Sequence, residues 1–134
     1  MRSNLALPLG SPWLDRLALL LLCAAYIEGG IDKLFDFPGA VAEQAHFGLV
    51  PSVPFAIATI VTELGGSALV LAGRLRWLAA LWLAGFTFIA SLTANAFWFM
   101  PPGGAKFMAE NAFFEHLGLV GGFLLVLLQD LRAR

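Results

Sequence analysis

The chain has 134 residues, 60% of them hydrophobic and only 13% charged, with a net charge of −1. A soluble domain carries about 25% charged residues, so this composition cannot cover a water-exposed surface with polar groups. The near-neutral charge argues against nucleic acid as a partner. A single cysteine, Cys23, excludes an intrachain disulfide, a CxxC redox pair and a cysteine zinc site.

Residues 1–11 form a short polar lead containing Pro8. No small-x-small cleavage site follows the first apolar run, so a signal peptide is not expected. Ser11-Pro12-Trp13 reads as a helix start, with Ser as N-cap, Pro at the first helical position and Trp at a lipid interface. Residues 17–27 are wholly apolar, and the helix is expected to run on through Glu28, Gly29, Gly30, Asp32 and Lys33, giving a first span over 12–35. Residues 36–51 form a linker bounded by prolines. Its alternation of Ala, Val and Phe with Glu, Gln and His predicts a short helix lying at the interface.

A second span covers 53–73 and is the central stretch of the chain. Its only ionisable residue is Glu63, near the middle. A carboxylate at that depth costs about 2.5–3.5 kcal/mol on insertion scales, so it needs a wet cavity, a partner or a proton. Gly65 and Gly66 follow at once and permit close approach of another helix, and Gly73 is the expected C-cap. After the basic turn Arg74-Leu75-Arg76 a third span covers 77–99, ending in Phe97-Trp98-Phe99 and Met100-Pro101-Pro102. A loop starts at Gly103, and a fourth span covers 108–130. The fold class is therefore all-α, a polytopic four-helix membrane bundle in a single domain.

Four spans put Arg2, Arg16, Arg74, Arg76, Arg132 and Arg134 on one side, and leave Lys33 and Lys106 on the other. The positive-inside rule then predicts cytoplasmic termini and two longer outer loops. Counting from the arginine ends at about 1.5 Å per residue puts Glu28 roughly 18 Å deep, Glu63 roughly 16 Å, Lys33 and His116 near 25 Å and Asn95 near 28 Å. Polar groups from all four spans thus gather in the outer half, as a funnel narrowing toward two glutamates.

Each of these residues has a plain alternative. Lys33 can snorkel to headgroups or pair with Asp32 or Asp36, Asn95 can serve as a helix–helix hydrogen bond, and His116 can be structural. Terminal Trp and Phe clusters suit interface belts, and Gly118-x-x-x-Gly122 suits packing within the chain. For Glu63 and Glu28 the functional reading is preferred, because two midplane carboxyls are hard to retain for packing alone.

The order and spacing of several features resemble the DoxX family of small four-span membrane proteins. They are Arg16, Gly30-x-x-Lys33, Gly48-Leu-Val-Pro51, Glu63-Leu-Gly-Gly66, Gly73, Arg76, Phe97-Trp98 and Gly121-Gly122, and they cover nearly the whole chain. Two departures stand out. DoxX-like chains often carry His before the aromatic-Trp pair of span three and Asn before the double glycine of span four, whereas here Asn95 and His116 stand in those places. This exchange predicts that Asn95 and His116 touch, directly or through a water. Glu28 falls where the family is usually apolar.

The resemblance implies a bacterial inner-membrane protein associated with respiratory or sulfur redox chemistry. The residues are compatible with quinone handling: Glu63 and His116 as the proton-handling, catalytic pair, and Glu28, Lys33, Asn95, Trp98 and Phe114 as binding residues. Phe88 and Phe97 are further candidates to stack on a ring. No haem, flavin or iron–sulfur motif is visible, so quinone is the cofactor to consider and any redox partner is another protein; a homo-oligomer is also open. Two other readings stand beside this one: a proton-coupled small-molecule transporter, and a ligand-free assembly or scaffold subunit.

Overall fold

The computed structural model describes residues 11–134 and is helical throughout. Arg2 and the rest of the polar lead up to residue 10 lie outside the described residues. Helix α1 spans Pro12–Phe35, α2 spans Phe37–His46, α3 spans Ser52–Ala72, α4 spans Arg76–Ala94 and α5 spans Gly104–Arg132. Among the described residues, three helical stretches are long and apolar enough to cross a membrane: Ser52–Ala72, Arg76–Phe99 and Gly104–Arg132. Helix α1 matches them in length, at 24 residues, but carries Glu28, Asp32 and Lys33 in its last third.

The chemistry of the termini sets these boundaries. Pro12 occupies the first turn of α1, and the Ser11 carbonyl accepts from the Leu14 and Asp15 amides; the Ser11 side chain makes no cap bond. Helix α2 starts where the Asp36 carboxylate accepts the Gly39 amide. Gly73, at φ +76°, ends α3 with the Arg74 amide closing back on the Leu69 carbonyl, the wider bond of a Schellman turn. The Arg76 guanidinium then donates to the Val70 carbonyl at 2.7 Å, a second donor to the acceptor that the Gly73 amide reaches at 3.3 Å.

Two helix ends add detail to the spans read from the sequence. Helix α4 stops at Ala94, five residues before Phe99, because Asn95 leaves the helix and turns its side chain back onto Ser91; a single 3₁₀ turn, Phe97–Phe99, follows. Helix α5 begins at Gly104 rather than 108, directly after Gly103 at φ +148°, since Ala105 to Glu110 are good helix formers and nothing among them interrupts the turn.

The packed centre joins α1, the second half of α3, α4 and α5 around Cys23, Tyr26, Val70, Leu83 and Phe123. Small residues set the helix spacing. A Cβ on Gly66 would stand 3.0 Å from Leu83, and one on Gly122 would stand 2.9 Å from Leu22, so these glycines bring α3 to α4 and α5 to α1. Gly118 and Gly121 have open space around them and Gly65 meets only Val61 of its own helix, so one residue of the Gly65–Gly66 pair and one of the Gly121–Gly122 pair serves close packing between helices. At the arginine-bearing end, Asp130 of α5 accepts the Trp77 amide at 3.0 Å, capping the otherwise uncapped start of α4.

Helix α3 changes partners along its length. Its first half packs on α1 and α2, and its second half on α1 and α4. The change occurs at a π turn, Val61–Gly65, in the middle of the helix. The first half of α3 therefore stands away from α4, and the space between them is the cavity described next.

Candidate functional site

This separation leaves a cavity of about 830 Å³ between α3 and α4, closed at one end by α2. Its walls are mostly apolar: Phe55 and Ala58 from α3 face Leu78, Leu81 and Ile89 from α4. Its depth is polar. Tyr26 and Lys33 come from α1, Glu43 and Gln44 from α2, Glu63 from α3, Thr87 from α4 and His116 from α5. Across the cleft the Trp82 indole N–H donates to Thr62 Oγ1 at 3.1 Å, a polar bridge on an otherwise apolar, exposed face.

Glu63 sits at the centre of the π turn and is 8% exposed. A wide turn displaces one residue from the regular helical register, a device common at functional sites. Lys33 Nζ lies 3.1 Å from Glu63 Oε1, joining α1 to α3. The ammonium and the carboxylate are each other's partner, an ion pair in the depth of the cavity. Two glycines of α1 make room for it. A Cβ on Gly29 would stand 3.4 Å from Glu63 Oε2 and 3.5 Å from Lys33 Nζ, and one on Gly30 would stand 2.6 Å from Leu64 Cγ.

Two further polar groups are locked. Thr87 Oγ1 donates to the Leu83 carbonyl at 2.6 Å, so the buried Tyr26 hydroxyl is the donor in its bond to Thr87. His116 Nδ1 lies 2.6 Å from the Ala112 carbonyl, and because a carbonyl only accepts, that nitrogen carries the proton. This leaves Nε2 of the neutral ring as an acceptor.

The cavity thus gathers three of the residues singled out from the sequence, Glu63, Lys33 and His116, and separates the other four from them. Glu28 shares the depth of Glu63 but not its direction. It is exposed and lines a shallow groove with Leu20, Ala24, Ile31 and Asp32 on the outer face of α1, away from the buried side that carries Tyr26 and Gly30. Residue 28 stands about 200° around the helix from both, whereas residue 33 returns to within about 20° of Tyr26 at 100° per residue. Asn95 bonds Ser91 and His116 bonds Ala112, so each polar side chain is turned onto its own helix and the two do not hydrogen-bond directly. Asn95 does not line the cavity. Trp98 and Phe114 belong instead to an edge-packed aromatic group with Phe97, Phe99 and Phe113 at the far end of α4.

Sequence reading passed over Tyr26, Thr87, Gln44 and Trp82. Tyr26 was concealed inside an apolar run, yet it is the only tyrosine in the chain and lies seven residues, two helical turns, before Lys33. No group of three or more His, Cys, Asp or Glu side chains suited to a metal ion occurs among the described residues.

Among known proteins, the family model described as DoxX matches residues 16–96, more than half of the chain and the segment that holds Tyr26, Lys33, Glu63 and Thr87. No curated protein and no solved structure matches the chain.

Proposed function

We propose, starting from a chain that belongs to the DoxX family of membrane proteins, that the cleft between α3 and α4 is a binding site for a small amphipathic molecule of the quinone kind. The observation that carries this reading is the Lys33–Glu63 pair, its carboxylate buried, at the polar depth of a cavity with apolar walls. A volume of about 830 Å³ is within the usual range of ligand sites, and apolar walls with a few convergent polar groups are their usual lining. The apolar body of the molecule lies against Phe55, Leu81 and Ile89, and its polar ring reaches Glu63, Tyr26 and His116. Glu63 and His116 are the groups that handle protons there.

In this reading α1 is a fourth membrane span, its charges accommodated by the ion pair on its inner face. Both termini are cytoplasmic, α2 lies at the outer surface of a bacterial inner membrane, and the chain serves as a site-bearing subunit beside a redox partner. A transporter of the same class of molecule is the second reading, and the Trp82–Thr62 bridge across the cleft favours it as a gate.

The test is fluorescence. In a variant with Trp13, Trp77 and Trp98 changed to Phe, Trp82 is the sole reporter, and titration with decylubiquinone and with decylubiquinol in nanodiscs is expected to quench it saturably at one molecule per chain. Linear quenching with both compounds, equal to that of a variant retaining only Trp98, would mean partition into lipid and no site.

A further inference from the structure

Five polar or charged side chains are buried among the described residues: Gln44, Glu63, Ser67, Thr87 and Ser91. Three of them have partners. Glu63 pairs with Lys33, Thr87 donates to the Leu83 carbonyl and accepts from Tyr26, and Ser91 accepts from the Asn95 amide. Ser67 does not line the cavity. Gln44 does line it, is 6% exposed, and its side-chain amide bonds no other described residue.

The fold holds this amide in place. Ala40 and Gln44, one turn apart, form the buried stripe of α2, and Gln44 is the long side chain of the two. The helix then ends in a Schellman turn closed on Gln44 itself. Gly48, at φ +76°, lets the Leu49 amide donate to the Gln44 carbonyl at 2.9 Å, while the Gly48 amide donates to the Ala45 carbonyl at 3.0 Å. Leu49 lines the cavity beside it. The main chain at residue 44 is thus pinned, and its side chain is left without a protein partner.

A buried polar group that the protein does not satisfy is met by water or by a ligand. The Gln44 amide is not sealed in, and the open space that it lines is the cavity. An amide both donates and accepts, so it serves a carbonyl through its N–H and a hydroxyl through its oxygen.

We infer that Gln44 is a binding residue of this site: its amide hydrogen-bonds a ring oxygen of the ligand and seats the ring at the end of the cavity that α2 closes. This rests on the reading of the cleft as a quinone-type site and adds the residue that fixes the ring. Either redox form satisfies the amide.

The chain contains two glutamines, Gln44 and Gln129, and Gln129 is exposed in the last turn of α5. Labelling with ¹⁵N-glutamine therefore gives two side-chain NH₂ signals, the second an internal control. Titration with decylubiquinone in nanodiscs is expected to shift the Gln44 signal along the same saturation curve as Trp82 quenching and to leave Gln129 in place. Gln44→Leu, in the background where Trp82 is the sole reporter, is expected to bind decylubiquinone about tenfold more weakly. Without ligand it is expected to unfold at the same temperature as its parent or a higher one. A lower temperature would show the amide already bonded within the protein and would overturn the inference. A Gln44 signal that stays fixed while Trp82 quenching saturates, or equal affinity in Gln44→Leu, would leave the amide holding water only. Either result would overturn the inference and keep the cleft as a ligand site. Absence of saturable Trp82 quenching in the protein with Gln44 intact would overturn both.

Discussion

Lys33 Nζ stands 3.1 Å from Glu63 Oε1, tying the last turn of α1 to the π turn in the middle of α3. The pair links a helix that carries several charges to the most apolar stretch of the chain. It also changes what a substitution at Glu63 means. Taken alone, Glu63→Leu removes the insertion cost of a carboxylate; with Lys33 against it, the same change strands a largely covered ammonium without its partner.

Removing either partner singly is therefore expected to destabilise the protein by about 3–5 kcal/mol, while the double variant Lys33→Met with Glu63→Leu recovers most of that loss. Thermal unfolding in a mild detergent measures it. Additive single effects, with no recovery in the double variant, would show that the two charges do not act as a pair.

Adjacent glycines of α1 give contrasting expectations. Gly30→Ala places a methyl 2.6 Å from Leu64 Cγ and must push α1 off the π turn, at a cost of about 1–3 kcal/mol. At Gly29 the nearest atom is 3.4 Å away and belongs to the Glu63 carboxylate, so Gly29→Ala is expected to change the unfolding temperature little while disturbing the ion pair. Equal losses at both positions would contradict this geometry.

Asp130 is expected to behave as a helix cap supplied from another helix. Asp130→Ala removes the acceptor of the Trp77 amide and should cost about 1 kcal/mol, within the usual range for an N-cap. Hydrogen exchange at the Trp77 amide should rise in the variant and stay unchanged in Arg134→Ala, which loses only the exposed ion pair with Asp130.

Much of this architecture is readable from composition and chain order, and the residues that resist reading do so for physical reasons. The Pro12 start, the Gly73 end and the position of Glu63 follow from local rules about caps and from the scarcity of charge in an apolar run. The Lys33–Glu63 partnership does not, because counting residues gives height along a helix and says nothing of direction. The same limitation put Glu28 beside Glu63, when one further step, its angle from Tyr26, separates them. The π turn has no local signature beyond the glycines that follow it. For Asn95 and His116 the exchange of residue types says nothing of local partners, and each bonds a group four residues earlier on its own helix.

Topology gives a separate expectation. In a Cys23→Ala background, Arg134→Cys should react with a membrane-impermeant maleimide only from the cytoplasmic side, and Lys106→Cys only from the opposite side. Labelling of both from one side would show that α5 does not cross the membrane.

The central claim is that the cleft between α3 and α4, and not the acidic groove of α1 or the aromatic group at the end of α4, is the ligand site. Photolabelling with a tritiated azido-decylubiquinol in native vesicles, followed by peptide mapping, tests it most directly. The expected result is label confined to residues 55–62 and 78–89, displaced by excess decylubiquinol and lost in Lys33→Met with Glu63→Leu. Label concentrated on residues 20–35 or on Phe97, Trp98 and Phe114, or label that excess ligand does not displace, would contradict it.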